Sequence, residues 1–265
     1  MKNRVTPGTN YARRLKNLAQ SCRAAEVRII HAYFTQPRSK SDHLRWLRAQ
    51  AFKEYAAIRP TFTALAKLYP KVDRGVDRHD FEGLTEKLAD ETKHARLVMD
   101  LLEELSGTRV AFADLLSLPQ DRKLAEIKAK YLKNRTAFSP RSKKIRPNRA
   151  ATRRHQIEHA ALALTEGGGR ALYKVCSKLK RPGIEQHIVR VFKEILLHKA
   201  GHKVPRERPL ASLVTAEASF RCAANVICEV SDQRLRMRNE QFGFPLTGDE
   251  LLALQRHARS LIARP

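Results

Sequence analysis

The sequence predicts an all-α protein built on a four-helix bundle, with an extra N-terminal helix and a helical C-terminal extension. Three observations carry this expectation. Apolar residues recur every three to four positions over long segments, β-branched alternation is scarce, and two-residue hairpin signals are nearly absent. At 265 residues and 42% hydrophobic composition, the chain is long enough to bury a large core and too apolar to be disordered by composition.

Helices are expected over 10–33, 42–69, 78–106, 113–132, 150–180, 183–201, 209–236 and 247–263. The first precedes the bundle. Over 42–69 the stripe runs Leu47, Ala51, Glu54, Ile58 and Leu65; "YPKVDRGVDRHD" (69–80) then turns the chain back. Over 78–106 the stripe is Leu84, Leu88, Glu91, Ala95, Val98 and Leu102. After the helix at 113–132, residues 133–155 hold nine Lys/Arg and two prolines, which predicts an exposed basic crossover. Over 150–180 the stripe is Leu162, Glu166, Gly169, Tyr173 and Cys176; Pro182 and Gly183 mark a tight connection to Ile184, Ile188, Val191, Ile195, His198 and His202. "HKVPRERP" (202–209) separates a C-terminal section, within which Thr247, followed by Asp249 and Glu250, reads as an N-cap. The expected division is therefore a basic helical extension at 1–41, the bundle at 42–202, and a C-terminal extension at 203–265.

Charge narrows the partners. Fifty-two Lys+Arg against 27 Asp+Glu give a formal +25, which favours an anionic partner such as nucleic acid, an acidic carrier or a phosphorylated substrate. A merely solvated basic surface is the plainer alternative. Few aromatics interleave with the charges of 133–155, and no RNA-binding motif is present. No apolar run reaches the roughly 18–20 residues of a membrane span and no secretory signal opens the chain, so a cytoplasmic location is expected. Cys22, Cys176, Cys222 and Cys228 form no CxxC pair and read as small buried thiols.

The long helices share an oddity: carboxylates and histidines stand where core residues belong. A buried carboxylate without a partner is strongly disfavoured, so these groups must be exposed, protonated, paired with a cation, or bound to a metal. At ~1.5 Å per residue, Glu54 and Glu91 lie at similar heights either side of their turn, and Glu166 and Glu194 differ by roughly 4–5 Å. Four carboxylates could meet in one bundle.

In order, the chain offers Glu54, then Glu91-x-x-His94, then Glu166 in "LTEGGG", then Glu194 and His198 in "FKEILLHKAGH". Over about 42–202 this resembles the ferritin-like di-iron carboxylate proteins, whose pattern is a Glu and a Glu-x-x-His, each occurring twice. The second pair departs from it, with Glu194 and His198 four apart rather than three, and with Lys193 where Asp90 precedes Glu91. The resemblance implies two iron ions, or manganese, with Glu91 and Glu194 bridging, Glu54 and Glu166 terminal, and one ion each for His94 and His198. His202 reads as a helix-end histidine. "EGGG" marks either space beside the metals or an interruption of the helix. Tyr55 and Tyr173 are either hydrogen-bond donors around the site or ordinary core tyrosines.

The expected function follows from the resemblance. It is a di-iron oxidoreductase that activates dioxygen to oxidise an organic, anionic substrate and draws on an electron donor. The alternative is a basic nucleic-acid-binding or scaffold protein whose metal is structural or inert.

Overall fold

The structure, a computed structural model, describes residues 7–75, 78–132, 149–166, 168–201 and 210–263. Among the described residues every regular element is helical: α1 (Pro7–Phe34), α2 (Lys40–Leu68), α3 (Arg78–Ser106), α4 (Pro119–Leu132), α5 (Arg149–Thr165), α6 (Gly168–Cys176), α7 (Ile184–Gly201), α8 (Leu210–Leu213), α9 (Glu217–Gln241) and α10 (Gly248–Ala263), with two short 3₁₀ segments. The all-α expectation holds. The basic stretch 133–148 and His202 lie outside the described residues.

Local chemistry sets the boundaries. Ser39 begins α2 with a reciprocal cap: its Oγ accepts from the Asp42 backbone N–H at 3.1 Å, and the Asp42 carboxylate accepts from the Ser39 N–H at 3.0 Å. Gly75, at φ 91°, ends the 3₁₀ segment after α2 in the left-handed region that glycine tolerates. Helix α3 spans the expected 78–106. The helix expected from 113 begins only at Pro119, because an extended Leu115 follows the 3₁₀ turn Phe112–Asp114. The helix expected over 150–180 is two helices, and "EGGG" lies at the break. Each glycine in a helix interior would cost about 1 kcal/mol relative to alanine, whereas Gly168 and Gly169 stand at the start of α6.

Two compact units result; a boundary falls at 202, and another after 36, near the expected 41, but residues 119–172, expected within the bundle, group with the two ends of the chain. Unit 1 gathers residues up to 36, 119–172 and from 203 onward; unit 2 gathers 37–118 and 173–202. The reason is a long buried α9, against which α1, α4, α5 and α10 all pack. Leu15, Ile157, Phe220 and Ile227 are among the residues of that core. The N-terminal helix, the expected third bundle helix and the C-terminal section thus share one unit.

Unit 2 contains the helical hairpin α2–α3, with α7 packed on α3. Its apolar interior includes Trp46, Leu47, Ala51, Val98, Leu102, Ile188, Phe192 and Ile195. The Phe192 ring lies 5.8 Å from Trp46 and 5.9 Å from Tyr173. Trp46 Nε1 donates to Nδ1 of the buried His43 at 3.3 Å.

Burial pushes the His43 imidazole down from 6.5 to about 4, against an opposing pull from Asp42. The native state holds His43 neutral, while the unfolded chain protonates it near 6.5. Its contribution is therefore present above 6.5 and lost as pH falls from there towards 4. Allowing for solvent screening, the loss of stability between about pH 7 and about pH 4.5 should be about 1–2 kcal/mol smaller in His43→Gln than in the parent. Urea unfolding at the two pH values measures it, and equal losses would exclude this titration as a source.

Candidate metal centre

The α2 stripe carries Glu54 inward with Leu47 and Ala51, and the carboxylate is almost fully buried, at 3% exposure. Two donors hold it through one oxygen. Gln50 Nε2, one turn earlier on the same face, donates to Oε1 at 2.6 Å, and the Tyr173 hydroxyl donates to the same atom at 2.5 Å. A carboxylate oriented through one oxygen keeps lone pairs on the other for a cation.

Across the hairpin, α3 supplies Glu91 and His94 one turn apart on its inner face. Ligand atoms of Glu54, Glu91 and His94 all lie within 4.8 Å of one another. His94 Nδ1 is 3.7 Å from Glu91 Oε2, beyond hydrogen-bond distance. The His94 ring is wholly buried and neither of its nitrogens has a hydrogen-bond partner. Leaving a buried polar group unsatisfied costs about 1–3 kcal/mol, so the position is unfavourable unless something else occupies the imidazole. Two carboxylates and one imidazole are the donors expected around iron or manganese. Ligands about 2.0–2.2 Å from one ion can stand up to roughly 4.4 Å apart, so only a few tenths of an ångström of closure separate this cluster from a coordinating one.

The α7 pair is placed differently. Glu194 Oε1 lies 3.1 Å from Lys93 Nζ, and His198 Nε2 lies 3.0 Å from the same ammonium. The His198 ring stacks on His94 with centroids 5.7 Å apart and 19° between planes. His198 Nδ1 is buried without a partner. The four-residue spacing keeps both side chains on one face, and that face meets Lys93 of α3.

Glu166 belongs to the other unit. It follows the last residue of α5 in unit 1, is 66% exposed, and lies 4.0 Å from Lys128 Nζ. The helical register that lined Glu166 up with Tyr173 is interrupted, since α5 ends at Thr165 and α6 begins at Gly168. Of the two tyrosines, Tyr173 is a donor to Glu54, whereas Tyr55 is exposed and packs on Phe112 at 5.0 Å.

Two participants escaped sequence reasoning. Gln50 stands one turn before Glu54 on the same stripe, and that i,i+4 spacing was its signal. Lys93 lies inside "ETKH", between the two α3 ligands, where a lysine ordinarily reads as solvated.

The cluster of Glu54, Glu91 and His94 includes no cysteine. All four are free thiols; burial pushes Cys22 and Cys222 up and Cys228 up to about 12, so these three are not primed as thiolates. No helix among the described residues is long and apolar enough to cross a membrane. Comparison with family models, with curated proteins and with solved structures finds no match to this chain.

Proposed function

We propose that this chain is a metal-dependent oxidoreductase, with a ferritin-like ligand arrangement on α2 and α3 that holds a divalent iron or manganese ion through Glu54, Glu91 and His94. The observation that carries the reading is His94, a wholly buried imidazole with both nitrogens unpartnered beside two carboxylates. An ion of this kind supplies electron exchange with dioxygen, chemistry that ordinary side chains lack. Tyr173 and Gln50 fix the Glu54 carboxylate. Ala51, Val98 and Ile195, all fully buried, line the same unit and limit the entry of water.

The substrate in this reading is an organic molecule carrying negative charge, consistent with the formal +25 of the chain. An electron donor is required if the ion is to turn over. The same charge favours a second reading, in which the metal is structural and the protein binds nucleic acid or an acidic carrier through the basic residues of 133–155.

Metal analysis and oxygen uptake separate the two readings. Protein expressed with added iron should carry about one ion or more per chain, and the anaerobically Fe(II)-loaded protein should consume dioxygen. Metal-free protein that takes up neither iron nor manganese would sink the metal centre. Bound metal without oxygen uptake would leave only the structural role.

A further inference from the structure

Three carboxylates and two imidazoles meet in unit 2 around α2, α3 and α7, and one of their partners is a lysine. Lys93 projects from α3 beside His94, and its ammonium lies 3.1 Å from Glu194 Oε1 and 3.0 Å from His198 Nε2. Those two groups are the ones that a second metal ion would need. An ammonium is a compact cation with three donors, and like a metal it satisfies a carboxylate and an imidazole at once.

We infer that the Lys93 ammonium takes the place of a second metal ion, so that the centre is built for a single divalent ion held by Glu54, Glu91 and His94. The inference rests on the metal reading above and adds its stoichiometry. Charge balance agrees with it. Glu54, Glu91 and Glu194 with Lys93 carry a formal −2, the charge that one divalent ion neutralises. Unit 2 itself brings three carboxylates to the centre, Glu54, Glu91 and Glu194. A two-ion centre would have only three carboxylates against a formal +4, with Lys93 adding a further positive charge among its ligands.

The geometry also gives Lys93 a defined task. With Glu194 and His198 engaged on its ammonium, a second ion must displace a cation that is covalently tethered and already in place. Lysine at this position therefore sets metal number. Its side chain is 41% exposed, so its replacement leaves the buried interior of unit 2 intact.

Manganese titration of the full-length chain under anaerobic conditions tests this, with bound metal counted by elemental analysis and ion pairing read from the Mn(II) electron paramagnetic resonance spectrum. The parent should bind one Mn(II) per chain with the spectrum of an isolated ion. Lys93→Ala should bind two and show the spin-coupled signal of a pair, and Lys93→Leu should do the same should the alanine variant fold poorly. Adding Glu194→Ala and His198→Ala to the lysine variant should return the count to one, an effect that a general loosening of the helices would not produce. A parent that binds two ions, or a lysine variant that still binds one, overturns the inference while leaving the metal centre standing. A parent that binds none overturns both.

Discussion

Replacing Arg238 with methionine should cost unit 1 about 3–5 kcal/mol, the largest stability loss expected from a single substitution away from the metal ligands. Arg238 is 1% exposed on α9, and its Nε and Nη2 reach Glu26 Oε1 of α1 at 2.8 and 2.7 Å. Glu26 is 1% exposed, and its second oxygen has no partner. Arg238 also donates to Gln241 Oε1, which ties it to the end of its own helix. Removing the guanidinium takes both of its hydrogen bonds from a buried carboxylate and leaves the buried Arg234 guanidinium as a neighbouring counter-charge, and the lost hydrogen bonds dominate the cost. Glu26→Leu together with Arg238→Met should recover only part of the loss, because the buried Arg234 guanidinium then loses the Glu26 carboxylate that offsets its charge. Urea unfolding of the single and double variants measures both effects. A single substitution costing less than about 1 kcal/mol would mean that water reaches Glu26.

The same helix marks where the sequence was legible and where it was not. Helix α3 was readable because its apolar stripe is continuous, and the start of α10 was readable because Thr247 and Glu250 form a reciprocal cap, with Thr247 N donating to Glu250 Oε2 at 2.8 Å and Glu250 N to Thr247 Oγ1 at 3.3 Å. The C-terminal half of α9 was not. The helix expected over 209–236 runs on to Gln241, and Gln233, Arg238, Asn239, Glu240 and Gln241 are all buried. The partners of Gln233, Arg238 and Glu240 are distant in sequence: Gln233 donates to the Gln120 carbonyl at 2.9 Å, Arg238 donates to Glu26, and Glu240 accepts from the Gln120 N–H, capping the start of α4. Periodicity detects apolar faces, and a buried face built from polar groups satisfied across the fold leaves no such trace.

The candidate site divides along a related line. Glu54, Glu91 and His94 were legible because each interrupts an apolar stripe within one helical hairpin, where residue counting fixes relative height. Glu166 is beyond the reach of the same counting, because height arguments assume one unbroken helix and α5 ends at Thr165. Lys93 was invisible as a site residue because lysine is the residue least expected beside metal ligands; only α7, brought against α3, shows what it holds.

His94→Leu should separate the demands of folding from those of the metal. In the metal-free protein, the His94 imidazole is wholly buried with neither nitrogen satisfied, so the native side chain is a burden on the fold. Leucine has comparable bulk and no polar atoms, and the metal-free variant should be more stable than the parent by about 1–3 kcal/mol. Added metal should reverse the order. A ligand present at 100 times its dissociation constant stabilises the form that binds it by about 2.7 kcal/mol, and the parent should gain on that scale. The variant, left with two carboxylates and no imidazole, should gain little. Thermal melts with excess chelator and with excess Mn(II) measure the four stabilities together. If the metal-free variant were the less stable protein, His94 would be an ordinary packing residue. If parent and variant shifted equally with Mn(II), the ion would bind elsewhere. Only the crossing of the two orders fits a histidine retained at a cost to the fold for the ion it holds.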